Sequence, residues 1–468
     1  MRYSIINSSE VIKNFDIRVD AEYFDPEHLS LENNILQKKW EYLEDISNVR
    51  GGKRLPLGET FSEEGIPYIR AEDVKNDFVE YKNSPKISNN LHSILKNYQT
   101  NYNDVLLTIV GNSIGDIGIV KFKLDKCNLT ENCVKIINLK ILPEYLFAFL
   151  LSKYGKSQIN REKVGTAQPK LAIVRIRKFK TPITEVVFQK FIKIIIDKAY
   201  ELKENSLKNY SNAENLLLSA LEILNWQPKH ELSYVKKFSD VNSANRYDAE
   251  YFQPKYDKIV EKIKLYPNGW DTFEHLVNTK NKNIIPKDNV KCKYIELSNI
   301  SNNGEITGFT LDIGKNLPTR ARRLVKTDDL IISSIEGSLD SITLITKEYD
   351  NSFCSNGFYV VNSNFYNSET LLCLLKTIIG QLQLKKGCSG TILTAISKEE
   401  LNNIILPKIK QETQMQIKEN IQNMYQLKFK SKQLLEIAKR GVEIAIEENE
   451  EVATNWINGQ LSKIGVKL

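Results

Sequence analysis

RVDAEYFDP at residues 18–26 recurs as RYDAEYFQP at residues 246–254, with Arg, Asp, Ala, Glu, Tyr, Phe and Pro kept in register. The echo continues downstream. Tyr68-Ile69 answers Tyr294-Ile295, Asn103-Asp104-Val105-Leu106 answers Asp328-Asp329-Leu330-Ile331, Gly165-Thr166 answers Gly390-Thr391, and Pro182 answers Pro407, the last three pairs all 225 residues apart. Beyond the prolines both copies enter a helix-like run, where Ile192, Ala199, Tyr200, Leu202, Ser206, Ala213 and Ala220 match Ile417, Met424, Tyr425, Leu427, Ser431, Ala438 and Ala445. Periods of about 20–50 residues mark solenoids. A period this long marks whole domains, so the chain reads as a tandem duplication of one unit, and its function is expected to be performed twice.

At 468 residues the chain is long enough for two to four domains, each with its own core. The formal charge of +7, from 65 basic and 58 acidic side chains, is compatible with a nucleic-acid partner without arguing for one. Cys127, Cys133, Cys292, Cys354, Cys373 and Cys388 show no CxxC spacing and have no neighbouring His, which reads as reduced thiols. Met1 to Asn7 lacks the apolar stretch of a signal peptide. The greasiest stretch, Phe188 to Ile196, is broken by Gln189, Lys190 and Lys193, so a cytoplasmic protein without a membrane segment is expected.

The fold class expected is α+β: two tandem mixed domains with mostly antiparallel sheets, joined by two long antiparallel coiled-coil helices and related by an internal pseudo-two-fold. The boundaries are a first domain at 1–182, a central helix and linker at 183–232, a second domain at 233–407, a C-terminal helix at 408–450 and a tail at 451–468. Asp104 to Ile109 and Ile117 to Phe122 read as strands around the glycine-opened turn Gly111-Asn112-Ser113-Ile114-Gly115. Leu330 to Ser333, Glu336-Gly337-Ser338 and Ser341 to Thr346 repeat the plan, and Tyr145 to Leu151 and Leu371 to Ile379 read as helices. In the first long helix Phe188, Ile192, Ile195, Ala199, Leu202, Ser206, Asn209, Ala213, Leu216, Ala220 and Ile223 form a heptad seam. A seam of this length needs a partner, and the second long helix is the nearest candidate.

Signatures of catalysis are missing. Gly51-Gly52-Lys53-Arg54 is not a phosphate loop, no GxGxxG opens a helix, and HExxH, GxSxG and kinase strings are absent. His28, His92, His230 and His275 are isolated and read as surface residues, while Glu63-Glu64 and Asp328-Asp329 read as solvated turns. What remains is a set of polar and cationic residues at expected turns. In the first copy these are Lys53, Arg54, Arg70, Asn112, Ser113, Thr166, Gln168 and Lys170. In the second they are Lys287, Glu296, Arg320, Arg322, Arg323, Ser338, Ser389 and Thr391. Arg and Lys suit phosphate or guanine, Asn and Gln suit adenine, and Glu suits the cytosine amino group.

Arg246-Tyr247-Asp248-Ala249-Glu250-Tyr251-Phe252, Gly165-Thr166-Ala167-Gln168-Pro169, Asn103-Asp104-Val105-Leu106-Leu107-Thr108 and Arg320-Ala321-Arg322-Arg323-Leu324-Val325-Lys326, in this duplicated order, carry a resemblance. The chain resembles the specificity subunit of bacterial type I restriction-modification systems over essentially its whole length. The resemblance implies two target-recognition domains, each reading half of a split site in double-stranded DNA, and paired helices that hold the readers apart. It implies two methyltransferase subunits carrying S-adenosylmethionine and restriction subunits carrying ATP and Mg²⁺, with no cofactor, metal or catalytic residue on this chain. The helix faces around Lys203, Lys208, Lys428 and Lys432 are the expected docking surface. The second copy departs from the first at Gly390-Thr391-Ile392-Leu393-Thr394 and at Glu336-Gly337-Ser338, where two readers would need to differ. The alternatives are a specificity partner in another restriction or phage-defence assembly, and a protein-binding adaptor or enzyme that reuses the duplicated fold.

Overall fold

The repeated nonapeptide ties the start of each domain to the end of a helix. Arg18 Nε pairs with Asp20 at 2.7 Å, its guanidinium lies 4.7 Å over the Tyr23 ring, and Nη1 donates to the Arg161 carbonyl at 2.7 Å. Arg246 pairs with Asp248 at 2.8 Å, lies 4.3 Å over Tyr251 and donates to the Lys386 carbonyl at 3.4 Å. Arg161 and Lys386 end the helices Lys153–Arg161 and Ile378–Lys386. Terminal helix carbonyls lack partners within the helix and carry the negative end of its dipole, so a cation is stabilising there.

The computed structural model describes residues 4–13, 17–123, 126–165, 169–280, 282–301, 304–390 and 394–468. It contains two units, one of Met1–Glu204 with Leu427–Leu468 and one of Asn205–Gln426. In the first unit a five-stranded sheet runs in the order Asn48–Gly51, Cys133–Ile137, Val105–Thr108, Ile117–Ile119 and Asp77–Phe78, antiparallel until the last pair. A four-stranded sheet runs Lys86–Ile87, Ile66–Ile69, Cys127–Leu129 and Gln99–Thr100, with its central pair parallel. The second unit has one sheet in the order Asn278–Thr279, Phe358–Asn362, Leu330–Ser333 and Ile342–Leu344. Another runs Thr310–Ile313, Lys291–Ile295, Phe353–Ser355 and Ala321–Leu324. Each unit is therefore α+β and mostly antiparallel.

The central strands are buried on both faces because successive side chains point to opposite sides. Val105 and Leu107 join a core with Tyr145, Phe147 and Phe149, while Leu106 joins a second core with Ile69, Val120 and Leu129. Leu330 and Ile332 join Leu371 and Leu374, while Ile331 joins Ile295 and Val360. The turns that lead in are alike. Asn103 and Asp328 adopt φ of 69° and 68°, a left-handed conformation that Asn and Asp tolerate. The next carboxylate accepts the backbone N–H three residues back, Asn101 to Asp104 at 2.8 Å and Lys326 to Asp329 at 3.0 Å. Asp329 is thus not part of a solvated turn: it is buried and also accepts from Lys280 at 2.8 Å. His28 and His92 are likewise half-buried and bonded, to Ser157 at 2.7 Å and to Asn128 at 2.5 Å, because their elements fold inward.

Helix pairs follow in both copies: Pro143–Leu151 with Lys153–Arg161, and Ser368–Lys376 with Ile378–Lys386. The apolar run Leu371 to Ile379, read as one helix, is divided at Thr377, whose extended backbone restarts it. Gln158 and Gln383 then clamp the closing strands, exchanging two hydrogen bonds with Lys180 at 2.7 and 3.0 Å and with Ile405 at 2.9 Å each. The domains end where the Tyr145 and Tyr366 hydroxyls donate to the Pro182 and Pro407 carbonyls at 3.0 and 2.7 Å.

The long helices are Val186–Ala220 and Gln411–Glu447. Within the first unit their segments run antiparallel: Ser431 donates to the Ala199 carbonyl at 2.7 Å, and Gly441 lies near Ile192. Phe188, Ile192, Ile195 and Ala199 pack in one core with Leu434, Ala438 and the domain's Phe147. Within the second unit Ala213 and Leu217 pack with Ile417, Ile421 and Met424. The seam therefore leaves its expected course after Ala213, burying Leu217 and Leu221 instead of Leu216 and Ala220. A helix of about 3.6 residues per turn drifts from a heptad unless it supercoils. Residues read as a tail form the helix Glu450–Lys463, which buries Ala453, Ile457 and Leu461 in the first core.

One polar group lies deep in the first unit. Lys121 and Glu144, each with a side chain 1% exposed, form an ion pair, and Asp197 of the long helix meets the same ammonium at 2.6 Å. Lys193 reaches Glu144 at 3.2 Å and also pairs with Asp197.

Candidate nucleic-acid interface

A groove of about 690 Å³ opens in the first unit, lined by Arg54, Arg70, Lys75, Asn112, Ser113 and Glu131 among others. Its first wall depends on Gly52. A Cβ there would run into the Thr130 carbonyl oxygen, so only glycine lets this segment lie against the strand Cys127–Leu129. Lys53 N–H then donates to the Leu129 carbonyl at 2.9 Å, and the Lys53 carbonyl accepts from the Tyr68 hydroxyl. Arg54 follows, exposed, with Nε 2.6 Å from Glu131. Burial opposes the charge on Glu131, yet the Arg54 hydrogen bond holds its pKa below the ordinary value.

The second wall is the glycine-opened turn. Gly115 N–H donates to the Thr108 carbonyl and Asp116 N–H to the Ser113 carbonyl, both at 2.9 Å. Val110 and Val164 each bridge to Lys170, so the two ends of the 164–170 loop are paired with each other and with this turn. Lys170 itself is exposed, while Thr166 and Gln168 lie outside the described residues. Of the expected residues Arg54, Arg70, Asn112 and Ser113 share one groove, and Lys53 supports it through its backbone. Tyr68, Phe61, Lys75 and Glu131 also line it, outside any motif of the sequence. The repeated Tyr68 and Tyr294 were the signal that marked this place.

In the second unit the same frame returns. Ile335 bridges to Ala395 and Ser389 pairs with Ala395, each 225 residues beyond Val110, Lys170 and Val164. Ser389 is exposed at this bridge, and Thr391 lies outside the described residues. Ser338 turns inward, its hydroxyl 2.8 Å from that of Ser333. Glu296 is exposed and accepts from the Ser298 hydroxyl at 2.8 Å. Arg320 is exposed on the approach to Ala321–Leu324, and Arg322 donates to the Thr319 carbonyl at 2.8 Å. Arg323 stands opposite Cys354 at a bulge, with Nε and Nη1 buried and without a hydrogen-bond partner. Lys287 is exposed on a turn beside Gly314. The expected residues of this copy thus fall into two groups, the arginines on one sheet and the serines at the paired turn.

Each turn is also gripped by a lysine. Lys156 donates to the Gly115 carbonyl at 2.7 Å and to Asn76, and Lys376 donates to the Asp340 carbonyl at 2.8 Å. Gly115 and Asp340 are equivalent positions, yet the lysines come from different helices of the pair. Burial pushes both ammonium groups down to about 8, opposed by Asp116 on the first and by Asp340 and Glu214 on the second, while Lys163 and Lys439 add to the depression of Lys156. The unfolded chain therefore holds these protons more tightly between pH 8 and about 10.5, and their linkage contribution to stability rises with pH across that window. Lys156→Met should remove part of this rise, so that wild type gains on the variant from pH 7 to pH 10 in thermal unfolding. It should also leave the Gly115 carbonyl without its donor, raising amide exchange at Gly115 and Asp116 by about 1 kcal/mol of lost protection. Unchanged exchange at both amides would show that the turn stands without the lysine.

On the long helix, Lys203 is not a free docking cation: it pairs with Asp77 at 2.8 Å and lies over Phe78, because this helix face packs on the domain. Among the described residues no group of three His, Cys, Asp or Glu is placed to hold a metal ion, and no helix is long and apolar enough to cross a membrane.

Residues 37–213 match the family model of the type I restriction modification DNA specificity domain. No curated protein sequence matches the chain significantly. Among solved structures, the type I restriction-modification S subunit from M. genitalium is 13% identical, with a TM-score of 0.37 over 92% of this chain and 97% of that one. The HsdS subunit from Thermoanaerobacter tengcongensis is 14% identical, with a TM-score of 0.28 over 88% of this chain and 97% of that one.

Proposed function

We infer that this chain is the DNA-specificity subunit of a type I restriction-modification system, with one target-recognition domain in each half. The matched family domain covers the first copy alone. What carries the reading to the second copy is the repeated frame: the bridges that build the groove's turn recur 225 residues on, in the same pairing. A frame kept while the exposed residues on it change suits two readers of different DNA sequences. Each domain reads one half of a split site in double-stranded DNA, and the long helices set the unspecified spacer.

The chain itself is non-catalytic in this reading and acts in the cytoplasm. Two methyltransferase subunits supply S-adenosylmethionine chemistry, restriction subunits supply ATP and Mg²⁺, and this chain binds no cofactor. Recognition through Arg54, Asn112 and their neighbours adds base contacts to phosphate contacts, which alone would give no sequence preference.

Exchange of a whole domain tests it. Residues 1–182 end at the strand pairing of Trp40 with Pro182, a natural seam for replacement by another recognition domain that keeps the face toward Ile192 and Ile195. Methylation mapping of genomic DNA from cells carrying the exchanged gene and its methyltransferase partner should show one half of the motif replaced and the other retained. A motif altered in both halves, or methylation by the purified chain alone, would overturn the assignment.

A further inference from the structure

Arg70 and Glu296 occupy the same place in the two copies. Each follows a strand, Ile66–Ile69 or Lys291–Ile295, that pairs in parallel with its neighbour through Tyr68 with Asn128 and Tyr294 with Phe353. Their backbones match, with φ and ψ of −106° and 170° at Arg70 and −114° and 173° at Glu296. Each N–H is accepted by the side chain three residues on, Asp73 at 2.8 Å and Asn299 at 3.0 Å. The side chains therefore leave the backbone at equivalent points, yet they carry opposite charge.

The residue two further on differs to suit. Glu72 forms an ion pair with Arg70, and the Ser298 hydroxyl donates to Glu296. In both copies the side chain is steadied by a partner of complementary chemistry. Arg70 lines the groove and keeps 37% of its side chain exposed. Glu296 is exposed.

The inversion separates two kinds of DNA contact. The phosphate backbone presents the same anion whatever the sequence, so a place that grips phosphate has no use for a carboxylate. Base edges differ from site to site. Arginine matches the paired acceptors O6 and N7 of guanine, and glutamate accepts from the N4 amino group of cytosine. We propose that this place in each domain is a base-reading position, with Arg70 reading a guanine in one half-site and Glu296 a cytosine in the other. The assignment rests on the specificity-subunit reading and deepens it.

The test is methylation mapping in cells carrying the full-length gene and its methyltransferase partner, with wild type, Arg70→Gln, Arg70→Lys and Glu296→Gln. Arg70→Gln should relax the preference for one guanine by about tenfold, leaving the other half-site intact. Arg70→Lys, which keeps the charge but loses the fork, should relax it too. Glu296→Gln should do the same at one cytosine of the opposite half-site. Glu296 is exposed, and Arg70→Lys keeps a cation beside Glu72 and Asp73, so thermal unfolding of Glu296→Gln and Arg70→Lys should match wild type. An Arg70→Gln motif identical to wild type would overturn the proposal, and so would a uniform loss of methylation with every base preference kept, which marks a phosphate contact. A wild-type motif with no G·C pair in one half overturns it directly. A wild-type gene that directs no split motif sinks the specificity reading, and this assignment with it.

Discussion

Gly155→Ala should lower the stability of the first unit by about 3 kcal/mol, among the larger effects of adding one methyl group to a packed site. The helices Pro143–Leu151 and Lys153–Arg161 are separated by Ser152 alone, so the second starts folded against the last turn of the first. A Cβ on Gly155 would stand 2.5 Å from the carbonyl oxygens of Leu150 and Phe149, backbone atoms that have no rotamer in which to escape. Gly380 repeats the situation, its Cβ meeting the Leu375 Cα at 2.5 Å and the carbonyl oxygen at 2.6 Å. Gly380→Ala should therefore damage the second domain to a similar degree. Urea denaturation of each variant is the measurement. A loss below about 1 kcal/mol would show that the junction opens without disturbing the core beneath.

Glu144→Ala should destabilise by about 3–5 kcal/mol, because it leaves the Lys121 ammonium buried with Asp197 and the face of the Tyr102 ring to meet it. Desolvating the pair was already unfavourable, so the pair itself need not be a net source of stability. The double change Lys121→Met with Glu144→Leu should then recover most of the loss, ending within about 1 kcal/mol of wild type. Asp197 keeps Lys193 as its partner in that variant. The second copy supplies a contrast. Glu369 there is bonded by Gln422 at 2.8 Å, with Thr346 where the first copy has Lys121. Glu369→Ala leaves no buried cation and should cost about 1 kcal/mol. Equal losses for the two glutamates would show that the ion pair is not the cause.

The repeat was legible because its invariant letters do structural work. Arg18, Asp20 and Tyr23 form one cluster, Asp104 caps a turn, and Pro182 closes a domain, so each leaves a copy 225 to 228 residues on. The groove was legible in part. Arg54, Arg70, Asn112 and Ser113 stood out as polar residues at turns, but Phe61 and Glu131 join them only through strand pairings distant in sequence. The seam beyond Ala213 went astray because period alone does not say which partner the helix meets. Neither Lys156 nor Lys376 could be found by matching the copies, since Leu151 and Gln381 stand at their counterparts.

That mismatch has a historical meaning. Two copies of one ancestral domain grip the same carbonyl with lysines that do not descend from the same codon. Equivalent turns are thus held from either helix of the pair. In the second copy Gln381, standing where Lys156 stands in the first, still donates to the Leu339 carbonyl at 3.1 Å, one residue from the carbonyl that Lys376 holds. In that copy an amide and an ammonium from adjoining helices hold adjacent carbonyls, and no two ammonium groups are crowded together. What the two copies share here is the turn, while the side chain that holds it, and the helix it comes from, differ.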